Sequence, residues 1–86
     1  MKMYRVFLVE DDEAIAASLK THIESWGLEA VTVKDFSRVM DEFHACSPHV
    51  VLLDISLPFY DGYYWCQEIR KISQVPAIFC LPRRIT

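Results

Sequence analysis

The sequence has no CxxC pair and no cysteine framework. Its three cysteines, Cys46, Cys66 and Cys80, are odd in number and widely spaced. That excludes a disulfide-stapled scaffold and fits a reduced, cytoplasmic setting in which the thiols act as small hydrophobes. His22, His44 and His49 lack metal-ligand spacing and read as surface or packing residues. Long apolar runs are missing, so no stretch reads as a membrane span. Met1-Lys2-Met3-Tyr4-Arg5 leads into only a few apolar residues before Glu10, which reads as a strand and not a signal peptide. A basic excess is also missing: the net charge of −3 argues against nucleic acid as a direct partner of this segment. There is no internal repeat, linker or low-complexity tract. What is present is 86 residues with a hydrophobic fraction of 52%, which predicts one domain with a real core and excludes disorder. The chain is short for a three-layer α/β architecture.

The stretch Val50-Val51-Leu52-Leu53-Asp54-Ile55-Ser56-Leu57-Pro58 organises the rest. Four consecutive apolar residues read as a strand buried on both faces, as in parallel sheets with helices above and below. Asp is disfavoured inside a strand, so Asp54 belongs at the strand's C-terminal end. Ligands of open α/β sheets bind at that edge. Taken alone, Asp54 reads as a strand stop. Glu10-Asp11-Asp12, however, ends the first apolar run in the same way.

In chain order, Met3 to Val9 is strand 1, and helix 1 runs from about Glu13 to Trp26. Its stripe is Ile15, Leu19, Ile23 and Trp26, with Asp12 as N-cap and Gly27 as the C′ stop. Leu28 to Val33 is strand 2, whose alternation places it at a sheet edge. Asp35 or Ser37 starts helix 2, with the stripe Phe36, Val39, Met40 and Phe43, and Ser47-Pro48 ends it. His49 to Leu53 is strand 3. After a loop from Asp54 to Asp61, Gly62 opens helix 3, which runs to about Ile72. Ala77 to Leu81 is strand 4, and Pro82 to Thr86 form a short tail with a solvated Arg83-Arg84 pair. The order βαβαβαβ implies right-handed crossovers and a parallel sheet. If helices 1 and 2 cover opposite faces, strands 1 and 3 become neighbours, and Glu10, Asp11 and Asp54 meet in one crevice. Trp26 and Trp65 read as core or boundary residues. Of Phe59-Tyr60 and Tyr63-Tyr64-Trp65, half should be core, leaving the rest to face a partner.

Three converging carboxylates stay ionised together only with a cation beside them. All-oxygen ligands in a partly open site suit Mg²⁺. A carboxylate is also a nucleophile toward phosphorus, with the metal screening the charge between it and the incoming phosphoryl oxygens. Asp54 is the best-placed nucleophile. Glu10 and Asp11 would hold the metal directly or through water, the Ser56 backbone carbonyl would add an oxygen, and Asp12 is the cap.

Val9-Glu10-Asp11-Asp12, Leu53-Asp54, Leu57-Pro58 before Asp61-Gly62, and Val75-Pro76 before strand 4 resemble the receiver domain of two-component response regulators. The resemblance covers about Met3 to Cys80. It implies a flavodoxin-like three-layer fold with strand order 2-1-3-4, Asp54 as phosphoacceptor, and a metal site of Glu10, Asp11, Asp54 and Ser56 for Mg²⁺. A sensor histidine kinase would be the donor, and the chain would be an acceptor and not an enzyme. The Glu-Asp-Asp triplet and the Phe59 to Trp65 stretch look most like the winged-helix (OmpR/PhoB-like) class with a DNA-binding output. Some of that class serve cell-envelope stress and antimicrobial-peptide sensing.

The sequence departs from the family at its end. Leu81 stands where a Ser or Thr normally closes strand 4, so the hydroxyl of that switch position is lost, and Pro82 stands where a small residue is usual. The family's strand-5 lysine, its last helices and any output domain would lie beyond Thr86. The expectation is therefore a receiver cut short after strand 4, spanning residues 1–86, by truncation or by a reading frame that shifts near Phe79. An exposed strand-4 edge would then promote self-association. Two other classes compete. A degenerate receiver would act only as a protein-interaction module. A fragment of a haloacid-dehalogenase-type Mg²⁺ phosphohydrolase would need a second Asp where Ser56 stands, and ranks low.

Overall fold

A computed structural model describes residues 4–80. Seven elements alternate: β1 (Arg5–Val9), α1 (Glu13–Ser25), β2 (Glu29–Thr32), α2 (Val39–Cys46), β3 (Val50–Asp54), α3 (Gly62–Arg70) and β4 (Ala77–Cys80). They build one four-stranded sheet in the order β2-β1-β3-β4. Every pairing is parallel, with Val6 opposite both Ala30 and Val50, and Asp54 opposite Cys80. The chain order implied the parallel sheet, and the strand order is the flavodoxin-like one that the resemblance implied.

Burial on both faces, combined with period-2 alternation, explains the unbroken apolar runs Val6 to Val9 in β1 and Val50 to Leu53 in β3. Phe7, Val9, Val51 and Leu53 point to one face, where they pack with Val39 and Phe43 of α2 and with Trp65 and Ile69 of α3. Val6 and Leu8 point to the other face and pack with Ile23 of α1 and Ala30 of β2. Two helices thus cover one side of the sheet and one helix the other.

Local signals set the ends of α1. Asp12 caps it by accepting from the Ala14 and Ile15 N–H groups at 3.0 and 3.2 Å. Gly27, at φ 84°, turns the chain out, as a C′ glycine does. The predicted stripe holds only in part. Ile23 is buried, Leu19 is half-buried, and Ala16, outside the stripe, is buried. Ile15 is 38% exposed and Trp26 is 71% exposed, so Trp26 is neither core nor boundary. The reason is geometric: Trp26 is the C-cap, beyond the last turn that rests on the sheet.

α2 begins at Val39, not at Asp35 or Ser37. The Asp35 carboxylate accepts from the backbone and hydroxyl of Ser37 at 3.0 and 2.6 Å, making a side-chain turn. Glu42 reaches back to the N–H groups of Lys34 and Asp35 at 2.9 and 2.8 Å and satisfies that segment from within the helix. Those bonds compete with helix initiation. The sheet surface with least helix cover lies on the face of α1 toward β4: Val50 and Leu52 of β3 are half-buried, and Ile78, opposite Leu52, is 53% exposed. The expectations for Leu81, Pro82 and the tail fall outside the described residues.

Candidate metal and phosphoacceptor site

The sheet order places the C-terminal ends of β1 and β3 side by side. Glu10 follows β1 directly, Asp11 follows Glu10, and Asp54 is the last residue of β3. One carboxylate oxygen from each lies within 4.8 Å of the others. Glu10 and Asp54 are half-buried and Asp11 is exposed. The cluster therefore opens to solvent on one side while its base rests on the sheet.

Each side chain has a local hold. Glu10 Oε2 accepts from the Asp12 N–H at 3.0 Å. Asp54 Oδ1 accepts from the Ser56 N–H at 3.4 Å. Asp12 spends its carboxylate on the α1 cap, as its place before the helix predicts. Burial pushes the Glu10 carboxyl above its ordinary value, and the charges of Asp54, Asp11 and Asp12 push the same way, against the lowering bond from the Asp12 N–H. The cluster thus raises the cost of its own charge, and a cation relieves that. Within the 4.8 Å spacing, Glu10, Asp11 and Asp54 would hold one Mg²⁺ directly or with one carboxylate acting through water. The donor set, all oxygen and net negative, fits a hard divalent cation.

Of the residues named from sequence, Glu10, Asp11 and Asp54 come together, and Ser56 joins them through its N–H on Asp54. Leu81 lies outside the described residues. Sequence reasoning missed Asp61 as the α3 N-cap, where its Oδ1 accepts from the Tyr64 N–H at 2.9 Å. An Asp immediately before a helical pattern was the available signal. It also missed the tight seat of Gly62, whose N–H donates to the Ile55 carbonyl at 2.9 Å. No sequence pattern shows that contact.

The neighbouring aromatic stretch is more exposed than expected. Only Trp65 of the five is buried, whereas Phe59, Tyr60, Tyr63 and Tyr64 are 74%, 51%, 54% and 37% exposed. Tyr60 and Tyr64 pack on each other and on the buried Trp65, and Tyr63 packs on Phe79 of β4. Tyr60 stacks on Tyr64 at 4.2 Å between centroids, and both meet Trp65 edge-on. Phe59 sits at φ 68°, a left-handed conformation that is strained for a bulky residue.

Residues 6–83 match the response regulator receiver domain family. The chain is 42% identical over 79 residues to the response regulator protein GraR of Staphylococcus aureus; the match takes in 92% of this chain and 35% of GraR. It thus spans about a third of the length of the curated relatives it matches. The N-terminal domain of the nisin resistance regulator NsrR, a lantibiotic response regulator, superposes with a TM-score of 0.83 at 37% identity, covering 91% of this chain and 66% of that one. Thermotoga maritima TrrA, solved in complex with Mg²⁺-BeF, superposes at 0.79 with 29% identity, covering 92% of this chain and 68% of that one. TrrA has also been solved in complex with the histidine kinase ThkA, where it superposes at 0.83 with 26% identity over 96% of this chain and 72% of that one. With its parallel 2-1-3-4 sheet and its acidic crevice at the ends of β1 and β3, the chain belongs to the response regulator receiver family.

Proposed function

We propose that this chain is the phosphoacceptor receiver of a two-component phosphorelay. Asp54 accepts the phosphoryl group, and Glu10, Asp11, Asp54 and the Ser56 backbone carbonyl hold Mg²⁺. The observation that carries the reading is the convergence of the three carboxylates within 4.8 Å at the sheet edge. Bound there, Mg²⁺ would screen the charge between the carboxylate and the phosphoryl oxygens. An Asp54 oxygen attacks phosphorus as the bond from phosphorus to the donor's imidazole nitrogen breaks. The electron pair of that bond returns to the imidazole, and an aspartyl phosphate is left on the chain. The donor is a sensor histidine kinase, a reading supported by the ThkA complex of the similar receiver TrrA.

The full signalling protein would place this receiver, residues 1–86, ahead of a winged-helix DNA-binding output. The match takes in 35% of GraR, so that relative has further chain in which an output could lie. The chain itself carries no turnover chemistry beyond its own labelling and hydrolysis, and it acts in the cytoplasm. Among the described residues, no helix is long and apolar enough to cross a membrane. The exposed Ile78 on β4, which pairs only with β3 among the described residues, supports self-association.

Treatment with acetyl phosphate or phosphoramidate in Mg²⁺, followed by intact-mass analysis, tests the reading. One added phosphate is expected, and Asp54→Asn should abolish it. Labelling that survives the substitution would move the site elsewhere. A second reading, a protein-interaction module that takes no phosphate, is favoured by Leu81, which has no hydroxyl for a phosphoryl oxygen. Wild-type chain that stays unlabelled while still binding Mg²⁺ would select it.

A further inference from the structure

The loop that leaves β3 after Asp54 closes on itself at Gly62. There the Gly62 N–H donates to the Ile55 carbonyl at 2.9 Å, and Asp61 caps the helix that begins at Gly62. The first turn of α3 therefore sits on the main chain that carries Asp54. Gly62 is buried, and its lack of a side chain is what permits the seat. A Cβ at this position would overlap the Asp54 carbonyl oxygen. It would also stand 3.0 Å from the Asp54 carbonyl carbon and 3.1 Å from Ile55 Cα. All three are backbone atoms, so no rotamer change relieves the overlap. Gly27 is the only glycine with positive φ, so Gly62 is required for room and not for backbone freedom.

Carbon atoms in ordinary contact are about 3.5–4.0 Å apart, so a side chain at 62 would push the two segments apart by about half an ångström or more. Lifting α3 would uncover Trp65 and Ile69, which are 5% and 0% exposed. Moving Asp54 disturbs only a strand end: it is the last residue of β3 and stands one place beyond the last residue that β1 matches in register. The displacement would thus fall on Asp54.

We infer that Gly62 is the positioning residue of the acidic site: its bare Cα lets the first turn of α3 press on the Asp54 peptide and fix where that carboxylate stands relative to Glu10 and Asp11. This rests on the reading of Asp54 as metal ligand and phosphoacceptor. Mg²⁺ demands oxygens at about 2.0–2.1 Å in near-ideal octahedral geometry, so a half-ångström error there is not absorbed. Misplacement of a reacting group by about 1 Å costs on the order of 10²-fold in rate.

The test compares Gly62→Ala with Ile69→Val, a core change on the same helix that does not touch Asp54. Mg²⁺ affinity is measured by titration calorimetry on the whole chain, with the acetyl phosphate labelling rate as a second readout. Gly62→Ala should weaken Mg²⁺ binding at least tenfold and slow labelling by ten- to a hundredfold. Ile69→Val should lower the melting temperature but hold Mg²⁺ affinity within twofold of wild type. A folded Gly62→Ala with wild-type Mg²⁺ affinity overturns the inference, and so does an equal loss in Ile69→Val. If Gly62→Ala does not fold, hydrogen exchange in the wild type decides. Coupling between sites is reciprocal, so Mg²⁺ should slow exchange of the Gly62 amide more than that of Glu29 on the far strand. Equal slowing overturns the inference. Asp11→Asn, which leaves Gly62 unchanged, reports on the metal site itself: unchanged Mg²⁺ affinity there brings down the metal reading, and this inference with it.

Discussion

Without a cation, the acidic crevice should destabilise the fold, and Glu10→Gln isolates that cost. Gln keeps the oxygen that accepts from the Asp12 N–H at 3.0 Å, so the loop geometry survives and only the charge is lost. At the 4.8 Å limit of the cluster, two unit charges repel by about 0.9 kcal/mol in water and about 3.5 kcal/mol at an effective dielectric constant of about 20. Asp11 is exposed and the other two are half-buried, so the lower figure governs, about 1 kcal/mol per pair. Glu10 takes part in two pairs. Glu10→Gln should therefore stabilise the metal-free chain by about 1–2 kcal/mol, a rise of roughly 4–16 °C in melting temperature for a domain of this size. In the wild type, Mg²⁺ at about 100 times its Kd adds about 2.7 kcal/mol, and Glu10→Gln should lose most of that response at the same concentration. The pH dependence has a defined sign. Glu10 is raised above its ordinary 4.5, so the metal-free wild type should lose stability as pH rises from there through the raised value. Glu10→Gln should lack that loss. Circular dichroism melts in EDTA and in Mg²⁺, from pH 4 to pH 8, read all three effects. A wild type indifferent to millimolar Mg²⁺, or a Glu10→Gln less stable than wild type in EDTA, would refute the electrostatic account.

Asp12→Ala removes the α1 cap and should cost about 1 kcal/mol in urea denaturation while leaving Mg²⁺ affinity unchanged; a large loss of affinity would make Asp12 a ligand. Cys46 is buried and its thiol is pushed up by that burial, whereas Cys66 is half-buried. Peptide mapping after brief iodoacetamide treatment should find Cys66 modified well before Cys46, and the reverse order would contradict the packing of α2 on the sheet. The exposed Ile78 on β4 should drive self-association at micromolar concentration, read by sedimentation velocity. A persistent monomer would mean that the β4 edge is protected.

Local chemistry was legible in the sequence because its partners lie within a few residues. Asp12 as cap, Gly27 as stop, and the alternation of apolar blocks with amphipathic stretches follow from backbone and side-chain geometry over one or two turns. The continuous apolar runs ending in Glu10 and Asp54 carried the parallel sheet and its functional edge, since only a strand buried on both faces needs such a run. The rest depended on how elements come to lie against one another. Periodicity shows which face of a helix is apolar but not how far the sheet beneath it extends, so Trp26 read as core or boundary and lies in solvent. The start of α2 shifted to Val39 because Glu42 reaches back eight and seven residues to bond Lys34 and Asp35. Of the aromatic rings after Pro58, Tyr60 and Tyr64 found each other and only Trp65 reached the core. Gly62 carried the least signal of all. Its seat against Asp54 exists only once an eight-residue excursion has closed, and steric contact between segments that far apart is a property of the folded chain.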